Sequence, residues 1–181
     1  PFGAHNPGQR ELPFCIHTRY STQQAILEDI VASLYAQGMR KLIILSGHGG
    51  NNFKGMIRDL AFVYPDFLII AADWFSIVPP KDYFEAVVDD HAGESETSVM
   101  MHYHPELVNL AEAGDGESRP FAIPSLNEKV GWAPRHWDKA TVDSGVGNPK
   151  KASAEKGKRY MKPVVEKLSK LFTEVGQGSL Y

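Results

Sequence analysis

Apolar residues recur at two different periods along the first half of the chain, and each period predicts one type of element. From Thr22 to Gly38 they recur every three to four positions, which predicts an amphipathic helix ending at a glycine. The apolar run 42–45 is short and rich in β-branched side chains, which is typical of strands buried on both faces of a parallel sheet. A second helix, beginning after residue 52, and a strand over 67–72 repeat this order. We therefore predict right-handed βαβ crossovers in an α/β fold with a mostly parallel sheet.

The second half of the chain is less regular. We expect residues 75–90 to be irregular, a helix from Ser95 to His104, and a short helix over 105–111. Residues 114–150 show little periodicity, and this segment is longer than a simple connecting loop. We therefore expect it to form a functional cover or an oligomer contact. The last helix should run over 153–175. Since no linker interrupts this pattern, we treat residues 1–181 as a single domain.

Composition and charge exclude several classes of protein. The chain has 181 residues, with 19 Lys and Arg against 22 Asp and Glu, and this balance argues against a broad nucleic-acid surface. No apolar run approaches the ~18 residues of a membrane span. The single Cys15 cannot form an internal disulfide, which favours a reducing, cytoplasmic location. The opening at Pro1, without Met or a signal peptide, resembles the middle of a fold, and we expect the N-terminal part of the domain to be absent.

The first group of candidate residues is the turn SGHGGNN at positions 46–52, directly after the first predicted strand. Ligands bind at the carboxyl edge of such sheets, and glycines let the backbone take unusual φ values and approach a ligand or metal. His48, among these glycines, is placed as a neutral imidazole ligand. The spacing matches neither a P-loop nor a dinucleotide fingerprint. A phosphate-cradling turn and a tight turn with an incidental histidine remain the alternatives.

The second group is the acidic segment DDHAGESETS at positions 89–98. His91 and Glu96 are five residues apart, so they converge only if His91 lies in the entering loop and Glu96 in the first helical turn. The crowded ionisable groups then indicate a cation or proton-transfer site. Alternatively, the segment is a solvated acidic helix N-terminus, with Ser95 as its cap.

Several aromatic and histidine residues stay unassigned at this point. Trp74 ends the second predicted strand, and Trp132 and Trp137 lie in the long irregular segment. Each is suited either to stacking on a flat substrate or to packing. His102 and His104 lie at a helix end and are taken as structural.

Four stretches, in the correct order, resemble motifs of the creatininase family of metal-dependent amidohydrolases. They are a PFG segment at 1–3, the strand and GHGGN turn at 41–51, HAG followed by ETS at 91–98, and GVGNP followed by EKG at 145–157. The resemblance spans nearly the whole chain. It implies a three-layer α/β/α domain assembled as a homo-oligomer, typically a hexamer.

The resemblance also implies a site with two divalent metals, Zn²⁺ or Mn²⁺. By position, His48 and Glu96 resemble metal ligands and His91 resembles the catalytic proton carrier. Gly49, Gly50, Asn51, Trp74 and Glu94 are expected to shape the site or to bind substrate. The implied activity is hydrolysis of a non-peptide C–N bond in a small amide, through a metal-bound water, with His91 delivering a proton to the leaving nitrogen.

The chain also departs from the family's pattern. The family's remaining ligands, a Glu-x-His pair and a later Asp, lie upstream of any equivalent of Pro1. Creatinine-specific members carry Glu where this chain has Gly50, and Trp where it has Val87. Creatinine is therefore a doubtful substrate, and formamides or peptide-like bonds are alternatives. Two rival functions remain: a non-catalytic α/β ligand-binding or assembly protein, and an isomerase or lyase that uses the same metals on a sugar-like substrate.

Overall fold

The chain divides into two compact units in a computed structural model that describes residues 3–4, 6–13, 15–179 and 181. Unit 1 comprises Pro1–His5, Ile16–Ile77 and Val164–Tyr181, and unit 2 comprises Asn6–Cys15 and Val78–Pro163. Each unit is described by itself. Most of the PFG segment, Pro1 and Phe2, lies outside the described residues. The single domain over 1–181 stays a prediction.

The helices and strands follow one another along the described residues in an alternating order. They are α1 (Tyr20–Ala36), β1 (Lys41–Ser46), α2 (Lys54–Val63), β2 (Leu68–Asp73), β3 (Asp89–His91), α3 (Glu94–Tyr103), α4 (Pro124–Asn127), α5 (Trp137–Ala140), β4 (Val146–Gly147) and α6 (Ala154–Gln177). The four long helices and the first two strands lie within about two residues of their predicted positions. The helix predicted over 105–111 is wrong: two 3₁₀ turns, Pro105–Leu107 and Leu110–Glu112, flank an extended Val108.

Unit 1 contains the predicted βαβ crossover. Strand β1 pairs in parallel with β2, from Lys41 opposite Leu68 to Ser46 opposite Asp73, and α2 connects them. The buried core of unit 1 contains Leu27, Val31, Met56, Leu60, Phe67 and Ile69. The expectation that both strands are buried on both faces is wrong, because most of their residues are half-buried. Among the described residues, the parallel sheet consists of these two strands.

Unit 2 contains an antiparallel pair that the sequence does not predict. Asp89 of β3 lies opposite Gly147 of β4, and His91 lies opposite Val146. The three residues of β3 are polar and lack the apolar alternation by which a strand is recognised. Gly147 has a φ of 115°, and a Cβ there would lie 2.5 Å from the Val88 carbonyl oxygen. Only glycine therefore fits at this point of the GVGNP motif.

The N-terminus of α6 packs closely against α3 within unit 2. The buried Ser98 hydroxyl accepts a hydrogen bond from the Ser153 amide at 3.1 Å, and the Ser153 hydroxyl caps α6 by accepting from the Lys156 amide at 3.3 Å. A Cβ at Gly157 would overlap the Ser98 carbonyl oxygen and lie 2.5 Å from its carbonyl carbon. The EKG motif thus ends on a glycine that lets two backbones approach.

Gly157→Ala is expected to lower the free energy of unfolding by about 3 kcal/mol, because backbone atoms of α3 must move to admit the methyl group. Chemical denaturation followed by circular dichroism measures the change. Gly176→Ala is the control on the same helix, since nothing lies within 4 Å of a Cβ there. It should be neutral or stabilising by up to about 1 kcal/mol. Equal effects of the two variants would contradict the close α3–α6 packing.

None of the helices in the described part of the chain combines the length and apolar character that a bilayer crossing requires.

Candidate active site

The carboxyl ends of β1 and β2 bring the GHGGN turn and Trp74 to the same edge of the parallel pair. Ser46 and Asp73 are partners in the strand register, and each ends its strand. The indole N–H of Trp74 donates to the Gly47 carbonyl oxygen at 3.3 Å. This edge is where open α/β sheets bind ligands, and the sequence predicted the same placement.

His48 is exposed at the centre of this turn and is hydrogen-bonded within it. Its Nδ1 accepts the Gly50 amide hydrogen at 3.0 Å, and its carbonyl oxygen accepts from the Asn51 amide at 3.1 Å. With Nδ1 accepting, a neutral imidazole carries its proton on Nε2. Metal ligation by either ring nitrogen of His48 therefore requires Nδ1 to release the Gly50 amide, since a proton moved to Nδ1 also ends that hydrogen bond.

The expected unusual φ values are wrong for Gly47 and Gly49, since neither has a positive φ. A Cβ at Gly47 would meet nothing within 4 Å, and one at Gly49 would make only ordinary contact with the Phe75 ring, at 3.7 Å. Instead, the lack of a side chain at Gly47 and Gly49 leaves the backbone of the turn exposed. An open backbone beside His48 is still compatible with close approach of a ligand.

His91 and Glu96 converge, with Glu96 in the first helical turn as their spacing requires, although His91 ends a strand rather than lying in a loop. His91 ends β3, Glu96 lies in the first turn of α3, and His91 Nδ1 is 4.0 Å from Glu96 Oε2. Between them, Ala92 adopts a left-handed φ of 50°, and its amide donates to Glu96 Oε2 at 2.7 Å. A left-handed non-glycine residue costs about 1–2 kcal/mol. Such strain is common at functional sites, and here it turns a backbone N–H toward the carboxylate.

Asp89 caps α3, so the alternative in which Ser95 is the cap is wrong. The Asp89 carboxylate accepts the Ser95 amide hydrogen at 3.1 and 3.2 Å, which satisfies a donor left free at the helix start. A Cβ at Gly93 would overlap this carboxylate and lie 3.3 Å from Asp89 Cα. Burial raises the pKa of Asp89 above its ordinary value. The glycine of the HAG motif therefore makes room for the cap.

Glu94 is completely buried, so a solvated helix N-terminus is wrong for this residue. Its carboxylate accepts the amide hydrogens of Glu85 and Ala86 at 2.9 and 2.7 Å and pairs with Lys156 Nζ at 2.5 Å. Hydrogen bonds from Lys151 and then Lys156 lower the pKa of Glu85 to about 2, while Glu94 and then Glu85 raise the pKa of Lys156. Glu94 thus joins α3 to α6 by a buried ion pair. The EKG motif contains this partner, but sequence reasoning did not pair the two.

Trp137, left unassigned by the sequence, contacts His91. Their ring centroids are 4.9 Å apart with planes at 70°, an edge-to-face arrangement. The Arg135 guanidinium lies 4.9 Å from the centre of the Trp137 ring and pairs with the Asp90 carboxylate at 2.7 Å. Trp132, in the same irregular segment, is 86% exposed. No sequence periodicity distinguishes these two tryptophans.

A groove of about 340 Å³ adjoins Glu96 in unit 2. Its lining includes Thr97, Met100, Leu107, Val108, Leu110 and Ala113. The volume is within the range of small-molecule sites, and the lining is mostly apolar. This groove offers the apolar part of a substrate a place beside the Glu96 carboxylate.

The described residues do not form a metal centre by themselves. Among them, no three His, Cys, Asp or Glu side chains lie close enough together to hold one metal ion. A catalytic zinc site needs about three protein ligands. His48 lies in unit 1 and Glu96 lies in unit 2. These residues alone do not fit the two-metal site that the resemblance implies.

Comparison with known proteins decides the family. Residues 1–172 match the creatininase family model, described as creatinine amidohydrolase. This chain belongs to the creatininase family. The resemblance of the four motifs is thereby confirmed, and the named relatives of the chain are hydrolases.

Similar proteins differ in their named substrates. A solved structure from Bacteroides fragilis NCTC 9343, a candidate creatinine amidohydrolase, is 83% identical with a TM-score of 0.97, over 100% of this chain and 72% of that chain. A mycofactocin precursor peptide peptidase of Mycobacterium ulcerans (strain Agy99) is 32% identical over 131 residues, 70% of this chain and 45% of that protein. A mutant creatininase of Zn-Zn type is 20% identical with a TM-score of 0.69, over 94% of this chain and 72% of that chain. The match thus spans about half the length of the curated peptidase, and the structural matches confirm the α/β creatininase fold.

Proposed function

We propose that this protein hydrolyses an amide C–N bond. The observation that carries the proposal is the convergence of His91 and Glu96 around the left-handed Ala92, beside an apolar groove. An imidazole next to a carboxylate is suited to moving a proton at a reacting centre. Membership of the creatininase family supports the same class of reaction.

His91 is proposed to deliver a proton to the departing nitrogen. Glu96 Oε2 lies 4.0 Å from His91 Nδ1, so the carboxylate is placed to orient the imidazole for this transfer. The Ala92 amide holds the Glu96 carboxylate in a fixed direction at 2.7 Å. Proton delivery matters because an amide nitrogen is a poor leaving group until it is protonated.

We propose further that the enzyme uses divalent metal ions, zinc or manganese, with His48 and Glu96 as two of the ligands. The family match and the Zn-Zn type creatininase support this proposal. These two residues are too few for a catalytic metal site, so the proposal requires further ligands beside them. A homo-oligomeric, hexameric and cytoplasmic enzyme is proposed on the same resemblance.

His48→Ala is expected to reduce bound metal in the native enzyme by at least about half and to abolish most turnover, because a ligand is removed. Inductively coupled plasma mass spectrometry on purified protein measures the metal content per chain. His104→Ala is the matched control, since His104 is exposed and pairs only locally with Glu106 at 3.2 Å. Two metals per chain with normal hydrolysis in His48→Ala would refute the ligand assignment.

The proposed substrate is a small amide with an apolar substituent. The groove beside Glu96 is lined mostly by apolar side chains, which suits an apolar substituent. Gly50 and Val87 replace residues of creatinine-specific members, which argues in the same direction. Formamides and peptide-like amides are both within this class.

A substrate panel tests the proposed function on the native enzyme. The panel contains creatinine, N-formyl-leucine, N-formyl-glycine and dipeptides with leucine or glycine, and release of amine, formate or amino acid is measured. We expect leucine compounds to exceed glycine compounds by about 10- to 100-fold in kcat/KM. No turnover of any amide would refute the hydrolase proposal, and creatinine as the preferred substrate would refute the substrate class.

A non-catalytic ligand-binding protein is the second candidate. It is favoured by the lack of three convergent metal-ligating side chains among the described residues. Native protein with neither bound metal nor turnover would support it. Turnover of a sugar-like compound, without amide hydrolysis, would instead support the isomerase or lyase alternative.

A further inference from the structure

We propose that Trp137 is a positioning residue that holds the His91 imidazole in its working orientation. The proposal rests on the proposed role of His91 in proton delivery. It assigns a function to the irregular segment 114–150, which contains none of the residues the family resemblance assigns to the site.

The contact between the two rings restricts the imidazole from one side. The ring centroids are 4.9 Å apart at an interplanar angle of 70°, and His91 Nδ1 also faces Glu96 at 4.0 Å. The His91 side chain is 29% exposed, so packing, rather than complete burial, must limit its rotation. A proton donor loses rate steeply when it is misplaced by even an ångström.

Trp137 is itself held in place by the N-terminal part of unit 2, by its own segment and by β3. Its amide donates to the Pro7 carbonyl oxygen at 3.0 Å, and its carbonyl oxygen accepts from the Thr141 hydroxyl at 2.7 Å. The Arg135 guanidinium lies over the indole at 4.9 Å and pairs with Asp90, the residue next to His91, at 2.7 Å. Cation–π contacts of this kind favour one position of the indole.

These contacts form a closed ring that connects β3 to the segment carrying Trp137. Asp90 and His91 are neighbours in β3, and Arg135 and Trp137 are two residues apart at the start of α5. Asp90 holds Arg135, Arg135 stacks on Trp137, and Trp137 packs on His91. A displacement of the segment that carries Trp137 therefore reaches the imidazole directly.

The test compares Trp137→Ala, Trp137→Phe and Trp132→Ala in the native enzyme. With an amide that the native enzyme hydrolyses, Trp137→Ala should lower kcat by about tenfold or more, with KM changed less than about twofold and metal content unchanged. Trp137→Phe should recover most of kcat, because it keeps an aromatic face against His91. Trp132→Ala, on the exposed tryptophan, should match the native enzyme.

A measurement without substrate separates this inference from the proposed function. Protein labelled with ¹³C-histidine gives ring resonances for His91, assigned by their absence in His91→Gln. We expect the His91 ring resonances of the native protein and of Trp137→Phe to report a single side-chain rotamer. Those of Trp137→Ala should report averaging between rotamers.

Each outcome decides one of the two claims. Native protein that hydrolyses no amide refutes the proposed function, while the His91 resonances still test the positioning of the ring. Unchanged His91 resonances or an unchanged kcat in Trp137→Ala would overturn the positioning role. Equal losses in Trp137→Ala and Trp132→Ala, or parallel loss of metal, would also overturn it, because a general structural defect would then explain the result.

Discussion

Replacing His91 by glutamine is expected to lower kcat by about 100- to 10,000-fold, the usual contribution of a general acid or base. Glutamine has nearly the reach of histidine and keeps hydrogen-bonding capacity, but it cannot carry a proton at neutral pH. Steady-state kinetics with the best amide of the panel measures the effect. Metal content should stay at the native value, because His91 is assigned to proton transfer and Glu96 to ligation.

His102→Gln is the control for this substitution, since His102 is taken as structural. It lies in the last turn of α3 and contacts the neighbouring Tyr103 ring at 4.6 Å. Its kcat should stay within about twofold of native. If His91→Gln lost metal in parallel with rate, His91 would be a ligand and the assignment of roles would be wrong. An unchanged kcat would remove His91 from the reaction altogether.

Lys156→Met is expected to lower the free energy of unfolding by about 3 kcal/mol, because it leaves the buried Glu94 carboxylate without its counter-charge. Glu94 is 0% exposed, and two backbone amides remain as its donors. These amides keep the loss at the lower end of the range for broken buried pairs. Chemical denaturation at pH 7 measures the change.

Lys151→Met separates burial from charge in this experiment. Lys151 pairs with Glu85 at 2.9 Å, but both side chains are more than half exposed, so its loss should cost at most about 1 kcal/mol. The double variant Glu94→Gln with Lys156→Met should regain part of the loss, because no unpaired buried charge remains. Equal losses of unfolding free energy in Lys151→Met and Lys156→Met would show that the buried Glu94–Lys156 pair contributes no more to stability than the exposed Glu85–Lys151 pair.

The pH dependence of the Lys156 contribution has a definite sign. Glu94 and Glu85 raise the pKa of Lys156 above its ordinary value of 10.5 in the folded protein. The stability from this pair is therefore complete below pH 10.5 and is lost as the pH rises through the raised pKa. Between native protein and Lys156→Met, the difference in unfolding free energy should shrink in that alkaline window.

The α/β fold of unit 1 could be predicted because its signals are local. Apolar spacing of three to four residues indicated α1, and the run 42–45 indicated β1. The convergence of His91 with Glu96 was one of two readings of the acidic segment, since a five-residue spacing allows it only when Glu96 lies in the first helical turn and His91 precedes the helix. These inferences needed only neighbours in sequence.

The features of the fold and the site that could not be predicted depend on contacts between residues distant in sequence. Strand β3 is recognisable only through its partner β4, more than 50 positions later. The burial of Glu94 depends on Lys156, 62 positions away, and a carboxylate without that partner would stay in water. The contact of Trp137 with His91 follows from the path of a segment without periodicity. A single sequence shows these residues, but it does not show which of them contact each other.

The glycines of the HAG and EKG motifs act through space rather than through backbone angle. Gly93 admits the Asp89 cap, and Gly157 admits the Ser98 carbonyl, although neither has a positive φ. Only Gly147, among the motif glycines described, combines a positive φ with a close neighbour. A glycine-rich motif is therefore as much evidence for tight packing as for an unusual turn.

The left-handed backbone of Ala92 limits what evolution can place there. Valine, isoleucine and threonine are disfavoured at such a φ, while glycine, asparagine and aspartate accept it. Alanine is the smallest residue that still has a Cβ, so it keeps the junction stiffer than glycine would. The backbone at position 92 therefore restricts which residues can replace alanine, independently of any metal or substrate. A distant homologue with a β-branched residue at this junction would have to build the step from His91 to Glu96 differently.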